Sequence, residues 1–114
     1  MSQVLDEVTL DDFVNRLERR VEGYLRKNLV QRFSVGHPAD YIMPIFRYCL
    51  HAVGEVFKNS NVKPTLRDFI VQLQFCIHDM TNVIAKTLSK IVDEFAPEIY
   101  EEYSKLRKAQ LAPA

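Results

Sequence analysis

The chain has 114 residues, equal numbers of basic and acidic side chains (15 each) and a formal net charge of zero. That length fits one domain and buries roughly two-thirds of the unfolded surface, enough for a core without staples. Zero net charge excludes a global field drawing the protein onto nucleic acid or an anionic membrane, and a hydrophobic content of 47% excludes a disordered chain.

With only 3 Gly and 5 Pro, a few long elements are expected rather than many short strands. The acidic N-terminus, residues 1–7, lacks the apolar run of a signal peptide and the basic character of a transit peptide. No stretch approaches the ~18 uninterrupted apolar residues of a membrane span. A soluble, cytoplasmic protein is the expectation. Cys49 and Cys76 stand apart, without C-x-x-C or Cys/His spacing. No zinc site and no disulfide framework are therefore expected, and both side chains read as buried thiols.

Four helices are expected, as an all-α bundle spanning residues 1–114, with residues 1–8 and 110–114 frayed. The first starts near Thr9, an N-cap with Asp11 and Asp12 in the positively polarised first turn. Leu10, Phe13, Val14, Leu17, Val21, Tyr24 and Leu25 form its apolar face. Leu29, Val30 and Phe33 fall out of phase, so the helix should kink or end between Asn28 and Phe33. Gly36 and Pro38 then supply a left-handed cap and a helix opening.

The second helix is expected from Pro38 or Asp40 to Phe57, burying Ile42, Ile45, Phe46, Cys49, Val53, Val56 and Phe57. After a polar turn at residues 58–64, Thr65 and Asp68 look like a capping box. The third helix keeps its apolar phase through Leu66, Phe69, Ile70, Leu73, Ile77, Met80, Ile84, Leu88, Ile91 and Phe95. It is expected to run from about 65 to 95, with a possible bend at 79–82, where helix formers are poor. Such a helix spans ~45 Å, against a diameter of about 34 Å for a compact domain of this size. An end reaching another subunit would resolve the mismatch. Pro97 should stop it and open a fourth helix with Ile99, Tyr103 and Leu106 on its apolar edge and Glu98, Glu101 and Glu102 in its first turns.

Two surfaces stand out. Val71 and Phe75, one turn apart, point away from the main stripe of the third helix, and His78 continues their face. They are either covered by neighbouring helices or anchor a partner contact. Arg16, Arg19, Arg20, Arg26 and Lys27 lie opposite the apolar face of the first helix. They form either a face for an anionic partner or a solvated face whose field Glu18 and Glu22 break up. No aromatic interleaves that strip, which argues against stacking on single-stranded nucleic acid.

His51 on the second helix, near Arg47, Glu55 and Gly54, resembles a phosphotransfer histidine. Such domains follow the histidine with a Lys-Gly pair, whereas Ala52-Val53-Gly54 follows here. There is no nucleophile elbow, Gly-rich phosphate loop or H-E-x-x-H, so no catalytic, cofactor-binding or metal-binding residues are assigned. The expected function is a non-enzymatic protein-binding module (regulator, adaptor or chaperone-like binder), homodimeric and requiring no cofactor. The alternatives are nucleic-acid binding through the first helix and a phosphorelay through His51.

Overall fold

The computed structural model describes residues 7–29, 36–60, 64–82 and 84–111. They form four helices: α1 (Glu7–Asn28), α2 (Ala39–Lys58), α3 (Leu66–Met80) and α4 (Ala85–Leu111). Each packs on its neighbours in the order α1, α2, α3, α4 and back to α1. Glu22 meets Arg47 while Asp11 meets Lys58, so α1 and α2 run antiparallel. Gln74 meets Asp93 while His78 meets Ser89, so α3 and α4 do too. The fold is an all-α, up-and-down four-helix bundle.

Its core follows the apolar stripes. Phe13, Phe46 and Phe69 are fully buried, and Phe13 meets Phe69 edge-to-face across the bundle at 5.4 Å. Burying each such ring contributes about 1.5–3 kcal/mol. No buried side-chain nitrogen or oxygen among the described residues lacks a hydrogen bond.

The segment expected as one helix over 65–95 is instead two antiparallel helices. The chain leaves α3 at Thr81, whose backbone is extended (φ −158°, ψ 138°), and re-enters a helix at Ala85. The break falls at the weak helix formers of 79–82. Periodicity ran on across it because both helices turn their apolar sides to the same core, so Ile77 and Leu88 are both buried. The length mismatch therefore disappears, and with it that argument for a subunit contact. Pro97 does not begin a helix either; it lies inside α4.

Other boundaries differ less. The first helix already includes Glu7, so Thr9 is not its cap. It ends at Asn28, in the expected region, although residues 30–35 lie outside the described residues. Of the ends expected to fray, 1–6 and 112–114 also lie outside them, whereas 7, 8, 110 and 111 are helical. The Thr65–Asp68 capping box is present in both directions. Val56 and Met80, expected in the core, are exposed.

Cys49 and Cys76 are not free thiols: they form a disulfide tying α2 to α3, with Cα atoms 5.6 Å apart. Their separation of 27 residues carries no pairing signal in the sequence. The antiparallel packing of α2 on α3 brings them together.

Candidate functional site

Apart from the intrahelical pairs Asp12–Arg16 (2.6 Å) and Glu22–Arg26 (3.1 Å), charge on α1 is segregated by flank. Asp11, Glu18 and Glu22 point toward α2, where they meet Lys58 (2.6 Å), Arg47 (3.8 Å from Glu18, 2.8 Å from Glu22) and His51 (3.3 Å from Glu18). Arg20 points toward α4 and pairs with Glu98 at 3.6 Å and Glu102 at 3.0 Å. Glu18 and Glu22 thus turn toward α2, and Glu22 also pairs with Arg26, one of the five basic residues (3.1 Å).

That flank and α4 enclose an open groove of about 790 Å³, lined by Arg16, Arg19, Arg20, Gly23, Tyr24, Lys27, Asn28, Glu94, Phe95 and Glu102. Four of the five expected basic residues are in it. Arg26 is not: it turns to Glu22 (3.1 Å) and to Asp40 at the start of α2 (2.8 Å). That pairing holds the Asp40 carboxyl below the usual carboxylate range, chiefly through the hydrogen bond from Arg26. The same bond, with a second from Arg26 to Glu22, raises the Arg26 guanidinium.

Aromatics do line this strip, contrary to the sequence expectation. Tyr24 is 38% exposed and meets Phe95 edge-to-face at 5.4 Å. The Arg20 guanidinium lies 5.8 Å from the Phe95 ring centre, within cation–π range. Helix phase places Tyr24 at the margin of the apolar face, but only the position of α4 reveals that this margin is an open wall.

The second surface joins α2 and α3. Phe75 is 66% exposed and Val56 is 67% exposed. Between them lies an apolar groove of about 380 Å³, lined also by Ala52, Val53, Phe57, Gln72, Cys76 and Asp79. Tyr48, earlier on α2, is 59% exposed but lines a separate groove with Pro44, Arg47, His51, Ala52 and Glu55. Of the expected contact residues, Phe75 is on this open face. Val71 is half-buried, and His78 is exposed with Nε2 3.3 Å from the Ser89 hydroxyl, on the α4 side. Val56 was missed because it fits the helical spacing of a core residue.

His51 is exposed, and its Nε2 lies 3.3 Å from Glu18. His37 is structural. Its Nδ1 accepts the Ala39 N–H at 3.0 Å, so Nε2 carries the proton and donates to the Leu29 carbonyl at 3.0 Å. Among the described residues no three His, Cys, Asp or Glu side chains gather to hold a metal ion, and no helix is long and apolar enough to cross a membrane. Comparison with protein-family models, curated proteins and solved structures gives no match.

Proposed function

We propose that the chain is a non-enzymatic protein-interaction module that self-associates through the α2–α3 face. The observation carrying this reading is the pair Phe75 and Val56, large apolar side chains about two-thirds exposed beside an apolar groove. Exposed apolar clusters of this kind mark contact surfaces. A second copy suits the face because knob and hole lie side by side on it. In a two-fold contact each protomer's Phe75 enters the groove of the other, as an isologous interface requires. A standard interface takes ~800 Å² from each partner, about a tenth of the 7645 Å² surface here. A regulator or adaptor would use this contact to assemble or to exchange partners.

The test is the mass in solution by sedimentation equilibrium, for the native chain and Phe75→Glu. A dimer is expected for the native chain, and a monomer of unchanged helicity for the variant. A native monomer, or a dimer indifferent to Phe75→Glu, overturns the reading.

The expected cytoplasmic setting belongs to the same proposal and bears on the disulfide. Cytosolic thiol buffers would keep Cys49 and Cys76 reduced, whereas an oxidising compartment would keep the bond. Counting free thiols in protein trapped directly from its source decides between the two settings.

A further inference from the structure

We propose that the α1–α4 groove binds a nucleotide, its phosphate held by Arg19 and Lys27 and its planar base set against Tyr24. This goes beyond the α2–α3 contact and does not depend on it.

The groove's cations differ in availability. Arg16 is tied to Asp12 at 2.6 Å, and Arg20 to Glu98 and Glu102. Arg19 only bonds the Asn15 carbonyl, at 3.4 Å. Neither Arg19 nor Lys27 has a carboxylate partner among the described residues, although α1 and α4 carry several acids. The two uncommitted cations lie one turn on either side of Gly23. They are therefore ~12 Å apart along the helix and on one face.

Gly23 is the second feature. Mid-helix glycine costs about 1 kcal/mol relative to alanine, and a Cβ added here would meet nothing within 4 Å. Packing therefore does not require the glycine; its effect is a notch in α1 between the two cations. The third feature is the aromatic wall. Phe95, itself within cation–π range of the salt-bridged Arg20, braces one side of Tyr24, which keeps over a third of its surface open. An aromatic wall beside cations is the arrangement that stacks a base and neutralises its phosphate. The groove, about 790 Å³, is of the size that holds small ligands. Of its two carboxylates, Glu102 is neutralised by Arg20, while Glu94 can accept from a ribose hydroxyl or an exocyclic amine.

The source of the nucleotide is either a free mononucleotide or a unit of a single strand. The experiment titrates the full chain with adenosine monophosphate, with a labelled oligo-dT of about ten nucleotides and with inorganic phosphate. Salt is set at about 50 and about 200 mM. Binding of the mononucleotide or the strand is expected at low salt, weakening as salt rises. Arg19→Glu, Lys27→Glu and Tyr24→Ala should each weaken it about tenfold. Gly23→Leu should fill the notch and reduce binding while the melting temperature stays level or rises, and Phe75→Glu should leave binding unchanged. Mononucleotide binding as tight as the oligonucleotide's assigns the site to free nucleotides; markedly tighter oligonucleotide binding assigns it to a strand. Three results overturn the proposal: no binding of either at low salt, inorganic phosphate binding as tightly as the mononucleotide, or affinity unchanged in all four groove variants.

Discussion

Cys49 of α2 and Cys76 of α3 are joined by a disulfide that closes a loop over 27 residues of separation, including the whole α2–α3 connection. Cross-linking a loop of that size raises the free energy of the unfolded chain by about 3.5 kcal/mol. Reduction, or Cys49→Ser with Cys76→Ser, is expected to lower the unfolding free energy by that order in urea. Helicity should persist, because the helices also meet through Phe57 and Phe69. Equal urea midpoints for oxidised and reduced protein would remove the bond's stabilising role.

A second prediction concerns His37, which links the end of α1 to the start of α2. One ring nitrogen accepts the Ala39 N–H, and the other donates to the Leu29 carbonyl. The first bond satisfies a helix N-terminal amide left without an intrahelical partner. Pro38, the residue before α2, gives no side-chain cap to replace it. His37→Ala should cost about 0.5–2 kcal/mol, the range for losing a helix cap, and should speed hydrogen exchange at the Ala39 amide. Exchange there matching the native protein would mean that the ring does not hold the junction.

Burial was legible in the sequence where chain direction was not. The stripe through Leu73, Ile77, Leu88 and Ile91 correctly marks core residues, all of them buried. A period of 3.6 residues states which side of a helix is apolar, and it survives a reversal when both arms face one core. The only local signal of the hairpin was the weak helix propensity of Thr81 and Asn82. Val56 shows the opposite failure, since it matches the apolar phase yet lies where no neighbouring helix covers it. For the α1–α4 groove, the cations were legible and their segregation was latent in the helical wheel. Arg16 and Arg20 fall on one flank, Glu18 and Glu22 on the other. The wall opposite was not legible: Phe95 reaches Tyr24 only because α4 folds back beside α1.

The last prediction follows from Asp40 and Arg26, which join α1 to α2 beside the His37 junction. Asp40 accepts from the Arg26 guanidinium at 2.8 Å and from the His37 N–H at 3.3 Å. Its carboxyl is held below the usual value, first by the Arg26 hydrogen bond. A carboxyl depressed in the folded state stabilises fully above its unfolded value, about 4. That contribution is lost as the pH falls through the folded value. Arg26, shifted upward, stays charged throughout. Asp40→Asn should therefore lower the melting temperature at pH 7, with the difference from the native protein shrinking steadily below about pH 4. The pair is exposed, so salt should also shrink the difference at pH 7. A deficit as large at pH 2 as at pH 7 would show that Asp40 acts through its hydrogen bond to the His37 amide, not through its charge.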